Sequence, residues 1–82
     1  MQNLSLILQS KEDWNGQKTV FKAVLNGMPE EAAVMQEPIV LEIGELTEDI
    51  YTELEAVALT VREAEKLIKT LTAQVNFLKN NP

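Results

Sequence analysis

The sequence contains no cysteine and no histidine. Without cysteine, the chain forms no disulfide and offers no thiolate to zinc. Without histidine, it lacks the commonest general base, the commonest protein metal ligand and the side chain that titrates near neutral pH. A catalytic site would have to use carboxylate, amine, phenol or hydroxyl groups. We therefore expect no cofactor and no resident metal ion.

Glycine is also scarce, and catalytic motifs built on it are absent. The three glycines, Gly16, Gly27 and Gly44, each fit a turn or a strand end. No glycine-rich phosphate loop, nucleophile elbow or zinc-protease motif is present. Asp49 and Glu53, four residues apart, are candidates for paired acid–base catalysis, but charge runs of this kind usually form a solvated surface. The sequence predicts a protein that is not an enzyme.

Basic residues are missing from the whole interval between Lys22 and Arg62, although the chain carries a net charge of −6. Phosphate contacts need lysine and arginine, so we expect no direct binding of nucleic acid by this segment. Its acids are the candidate partner-binding residues. They are Glu30, Glu31, Glu37, Glu42, Glu45, Glu48, Asp49, Glu53 and Glu55.

This acidic segment has two interpretations. It is either a solubilising surface or a negative patch that steers and docks a protein partner with a basic surface. In size and composition the chain resembles the small acidic inhibitors made by phages and mobile elements. That resemblance implies an inhibitor or adaptor of a nucleic-acid-binding protein. No family motif accompanies it.

The chain length and the apolar runs indicate one domain in a soluble protein. Eighty-two residues make at most one domain, here residues 1–82. The first eight residues lack a basic region and are interrupted by Ser5, so they make a poor signal peptide. No stretch approaches the roughly 20 apolar residues of a membrane span. We expect a cytoplasmic protein that does not bind membranes.

A β-hairpin is predicted over residues 3–26. Asn15-Gly16 is a strong signal for a two-residue type I′ turn, and this turn places Leu8 opposite Ala23. Apolar and polar residues alternate on both sides of the turn, as one buried face requires. Trp14 next to the turn either caps the end of the core or is exposed as an aromatic anchor. We expect the core position, because tryptophan is usually well buried.

Two shorter elements follow the hairpin. Pro29 and the two glutamates after it predict one or two helical turns, which end before Pro38. Residues 38–44 predict a third strand, with Ile39, Leu41 and Ile43 toward the core.

The longest periodic signal lies in the C-terminal part. Apolar residues from Ile50 to Leu78 are alternately four and three residues apart, which predicts a helix over 47–80 with Thr47 as its N-cap. An alternative stays open, because Thr60 and Glu63 form a capping box that starts a helix at Val61. Residues 50–59 would then be a fourth strand. Pairing this strand with the third strand as a hairpin would place Glu42 opposite Glu55, which carries the same charge. We therefore expect a continuous helix, with a possible break near residue 60.

Together these elements predict an α+β fold in which an antiparallel hairpin and a third strand pack against a long C-terminal helix. The apolar stripe of this helix lacks the charge pairs of a parallel coiled coil and is wide enough to lie on a sheet. It also overhangs the sheet, so we expect a homodimer or larger homo-oligomer. The predicted interface residues are Leu54, Val61, Ile68, Leu71, Val75 and Leu78.

The leading functional hypothesis is a protein–protein interaction module that oligomerises through this helix and presents the acidic segment to a basic partner. Two other hypotheses are kept. The first is a structural or assembly subunit whose main partner is itself. The second is a small-ligand binder with a pocket between sheet and helix.

Overall fold

The computed structural model describes residues 4–80, which form a four-stranded antiparallel sheet and a separate C-terminal helix. The strands follow one another across the sheet in chain order. The predicted α+β class is confirmed, whereas Asn3, the first residue of the predicted hairpin, lies outside the described residues. The elements are β1 (Leu6–Gln9), β2 (Gln17–Leu25), α1 (Pro29–Ala32), β3 (Ile39–Thr47), β4 (Ile50–Leu59) and α2 (Val61–Asn80).

The β1–β2 hairpin forms, but the predicted register is wrong by two residues. Leu8 pairs with Phe21 rather than with Ala23. The turn has three residues, with Gly16 in the left-handed region at φ 75° and its N–H donating to the Asp13 carbonyl at 3.0 Å. This is a type I turn followed by a bulge. A shift of two residues keeps every side chain on its predicted face.

The Asp13 carboxylate explains why the longer turn forms. Its Oδ1 accepts hydrogen bonds from the backbone N–H of Asn15 at 2.8 Å and of Gln17 at 2.9 Å. A two-residue turn would leave no place for this local capping.

Residues 50–59 form strand β4, so the predicted continuous helix over 47–80 is wrong. The third strand, predicted to end at Gly44, instead continues to Thr47, which is therefore not a helix N-cap. Glu48 and Asp49 connect β3 to β4 as a two-residue turn, both with positive φ, at 49° and 66°. Only part of the heptad pattern lies in residues 50–59, and strand pairing with β3 outweighs the helical preference of that part.

A β-bulge at Leu54 removes the objection to this strand. Glu55 lies opposite Ile43 and Glu53 lies opposite Gly44, which leaves Leu54 as the extra residue. Because of the bulge, Glu42 faces Ala56 and not Glu55. The like-charge pair of a regular hairpin is avoided.

Helix α2 begins at the predicted capping box. The Thr60 N–H donates to the Glu63 carboxylate at 2.9 Å, and the Glu63 N–H donates to Thr60 Oγ1 at 3.1 Å. These hydrogen bonds with Thr60 lower the pKa of Glu63. Leu59 and Ala64 on either side are half-buried, as expected for a hydrophobic staple.

Within one chain, α2 does not cover the sheet as predicted. None of the residues Val61–Asn80 is buried, and α2 contacts mainly the end of β4 that precedes it. Among the described residues, the buried apolar side chains are Val20, Ala32 and Pro38. Ile43, which was expected in the core, is exposed, and so are Leu6 and Leu8 of β1.

The chain is less compact than a globular monomer of its length. Its radius of gyration is 15.3 Å, whereas a compact chain of this length has about 12 Å. It exposes 6904 Å² of surface, whereas a folded monomer of 9.2 kDa exposes about 4900 Å². The excess is roughly 2000 Å².

Gly44 allows the Tyr51 ring to lie close to the backbone of β3. A Cβ atom at this position would overlap the ring of Tyr51, which therefore lies directly over the glycine backbone. The aromatic ring covers a backbone that has no side chain of its own, and Gly44 is buried as a result.

We predict that Gly44→Ala destabilises the fold by about 1–3 kcal/mol, because the new methyl group displaces the Tyr51 ring. Chemical denaturation at one fixed protein concentration measures the change. In a Tyr51→Ala background the same substitution should cost much less. Equal costs in both backgrounds would mean that the ring does not rest on Gly44.

Candidate functional site

One face of the sheet is apolar across all four strands, and we call it the apolar face. Alternation and register bring its members together from every strand. Its central row is Leu6, Ala23, Leu41 and Val57, which stand side by side. Its other members are Leu8, Phe21, Leu25, Ile39, Ile43 and Leu59.

The apolar face is open to solvent and slightly hollow. Phe21, Leu41, Ile43 and Val57 line a groove of about 230 Å³ at its centre. A second groove of about 390 Å³ lies at one end, where Leu25 and Ile39 meet α1 and the first residue of α2. Both grooves are apolar, so they fit a hydrophobic side-chain surface better than a charged ligand.

Helix α2 carries the second apolar surface, the α2 stripe, which consists of Val61, Ala64, Ile68, Leu71, Val75 and Leu78. Apart from half-buried Ala64, these side chains are exposed, and Ile68 shows 63% of its surface to solvent. Five of the six predicted interface residues therefore lie on one helix face. Leu54 does not join them, because it is the bulged residue of β4.

The acidic residues do not form one continuous face. Glu30 and Glu31 lie on α1, and Glu37 precedes β3. Glu45 and Glu55 are on the apolar side of the sheet, whereas Glu42 and Glu53 are on the opposite side. Alternation separates Glu42 from Glu45 along β3, and the bulge at Leu54 separates Glu53 from Glu55 along β4. Asp49 and Glu53, predicted to share a helix face, lie in a turn and a strand.

Glu48 and Asp49 are exposed at the tip of the β3–β4 hairpin. Both have positive φ, a conformation that aspartate tolerates and glutamate rarely adopts. We call these two residues the acidic tip.

Tyr51, Glu42 and Lys22 form a small polar cluster on the face opposite to the apolar face. The Tyr51 hydroxyl donates to Glu42 Oε1, and Lys22 Nζ lies 3.9 Å from the centre of the tyrosine ring. The hydrogen bond to Glu42 is the main reason that the pKa of Tyr51 rises from 10.0 to about 12. No local sequence signal predicted this cluster, because strand pairing alone brings Glu42 and Tyr51 together.

Trp14 is not part of a core. It lies in the β1–β2 turn with 92% of its surface exposed, so the expected structural position is wrong. The three-residue turn carries the ring beyond the last paired residues of the sheet. The alternative interpretation, an exposed aromatic anchor, stays a prediction.

Residues 4–80 contain neither a metal-binding cluster nor a membrane-spanning helix. These residues contain no group of three acidic side chains close enough to hold a metal ion. Over the same range, neither helix has the length and apolar character needed to cross a membrane.

Comparison with known proteins gives no relative. No protein-family model matches the chain, and neither the curated proteins nor the solved structures contain a match. The candidate site is therefore defined by geometry. It consists of two apolar surfaces, on the sheet and on α2, that do not cover each other.

We predict that the phenol of Tyr51 titrates near pH 12 and that Glu42→Val lowers this midpoint, because the substitution removes both the acceptor and its charge. Tyr51 is the only tyrosine, so phenolate absorbance reports it alone. The folded pKa lies above the unfolded one. The stabilisation is therefore complete below pH 10.0 and is lost as the pH rises towards 12.

Glu53→Val is the matched control, because Glu53 raises the pKa of Tyr51 only through its charge and as the smallest cause. It should shift the midpoint less than Glu42→Val does. An unchanged midpoint in Glu42→Val would contradict the hydrogen bond.

Proposed function

We propose that this chain is a non-enzymatic protein–protein interaction module that oligomerises through its C-terminal helix. The observation that carries the proposal is the exposed α2 stripe. Its apolar residues follow helical spacing along the full length of α2, and none of them is buried within the chain. A continuous apolar stripe of this length on a helix is typical of a surface that packs against a partner.

Stability supports the same conclusion. Burial of a valine, leucine or isoleucine side chain stabilises a fold by about 1.5–3 kcal/mol, and α2 leaves five such stripe residues exposed. The sheet alone provides little compensation, since its buried apolar side chain is Val20. Chains of this size commonly gain the missing burial by oligomerisation.

A structural or assembly subunit is the form of this function in which the main partner is another copy. The same exposed surfaces favour it. The third hypothesis, a ligand pocket between sheet and helix, has no such support, because α2 does not lie over the sheet of its own chain.

We predict that the wild-type chain is a dimer or larger oligomer in solution and that Ile68→Glu converts it to monomers. A charge in the middle of the stripe cannot be buried without a large cost. Size-exclusion chromatography with light scattering gives the mass, and circular dichroism reports whether the chain stays folded.

Thr70→Glu is the matched control. Thr70 is also β-branched and exposed, but its helical position lies on the opposite side of α2 from the stripe. This variant should keep the wild-type mass. A folded wild-type monomer, or equal loss of assembly in both variants, would contradict the proposal.

The second part of the proposal concerns the acidic tip. Glu48 and Asp49 remain far from the α2 stripe along the chain, so assembly through α2 leaves them free to meet a basic protein, as an inhibitor or adaptor would. Their unfavourable backbone conformation supports a function, because local stability alone would select Asn-Gly at this turn.

We predict that Glu48→Asn with Asp49→Gly raises the melting temperature and weakens binding to a lysine- and arginine-rich probe peptide. The turn becomes relaxed while two charges are lost. Glu30→Gln with Glu31→Gln removes the same charge elsewhere and is the control. Binding should fall steeply between about 0.05 M and 0.5 M salt. Equal losses in both variants would reduce the effect to net charge.

A further inference from the structure

We propose that α2 of one chain packs its stripe on the apolar face of a second copy, and that the second copy does the same in return. The product is a symmetric, helix-exchanged dimer. This inference rests on the proposed assembly through α2 and names the surface that receives the helix.

The exposed area fits a dimer of this kind. Each chain shows roughly 2000 Å² more surface than a compact monomer of its mass. Two chains together could therefore bury about 4000 Å², which lies within the range of obligate homodimers. A seam between two α2 helices would cover the stripes alone and would leave both apolar faces in water.

The dimensions of the two surfaces also match. The 20 residues of α2 extend about 30 Å. The nine residues of β2, and equally of β3, extend about 30 Å. A helix laid along the strands would thus cross the central row and span the apolar face from one end of the strands to the other, without the overhang that a helix over 47–80 implied.

The connection between β4 and α2 explains why the helix covers a neighbour. Thr60 alone separates Leu59 from Val61, and both of its capping hydrogen bonds are made. Folding α2 back onto its own sheet would need a longer loop, since strand–helix connections commonly have two to six residues. The capped junction holds the stripe away from its own apolar face and available to another.

The distribution of charge favours the same pairing. Helix α2 contains four basic and two acidic residues, and the rest of the chain contains three basic and eleven acidic residues. A helix with net positive charge is attracted to the acidic sheet region of another copy. In this arrangement the helix meets the acids on the apolar side of the sheet, Glu45 and Glu55, and leaves the acidic tip free.

Cross-linking tests the arrangement, because the chain has no cysteine of its own. Leu41→Cys marks the apolar face, Leu71→Cys marks the stripe, and Thr70→Cys marks the outward side of α2. One partner carries a tag, so that mixed cross-links have their own mass. The variants are mixed in denaturant, refolded together and oxidised. We expect Leu41→Cys to cross-link with Leu71→Cys at several times the yield obtained with Thr70→Cys.

Each other outcome overturns the inference in a distinguishable way. Cross-links mainly between two Leu71→Cys chains would show a helix–helix seam, and assembly through α2 would survive. A chain that carries both Leu41→Cys and Leu71→Cys, stays monomeric and forms the disulfide internally would place α2 on its own sheet. A monomeric wild-type chain, together with cysteine variants that form no cross-links, would also overturn the proposed function. Circular dichroism of each variant confirms that it is folded.

Discussion

The structure depends on the one-residue connection between the last strand and the C-terminal helix. Thr60 ends β4 and caps α2 in a single step, so the helix starts immediately beside the edge of the sheet and, within one chain, does not lie over it. Two apolar surfaces are thereby made by one chain and kept apart. Most of the missing core of this small protein follows from that separation, since either surface alone has nothing to pack against.

The sheet itself is held by cross-strand features that do not need a core. The Leu54 bulge moves Glu42 away from Glu55, and the Tyr51 ring shields Gly44 while its hydroxyl donates to Glu42. The Asp13 carboxylate caps the first turn. These contacts lie on the face opposite to the apolar face or at the sheet ends. The apolar face therefore remains free for a helix.

The acidic segment illustrates how the fold divides a sequence feature. Alternation along β3 and the bulge at Leu54 in β4 send Glu42 and Glu53 to one side and Glu45 and Glu55 to the other. These strands do not produce a single negative face. Glu48 and Asp49 remain together at the acidic tip.

Several features followed from the sequence by itself because local chemistry governs them. The α+β class, the alternation in β1 and β2, and the Thr60–Glu63 capping box depend on residues close together in the chain. That residues 50–59 form strand β4 did not follow from the sequence, because their backbone partners lie in β3 and their periodicity also fits a helix. The exposure of Trp14 and of the α2 stripe was likewise decided by tertiary structure. Burial depends on which distant surfaces a chain brings together, and here α2 does not lie over the sheet of its own chain.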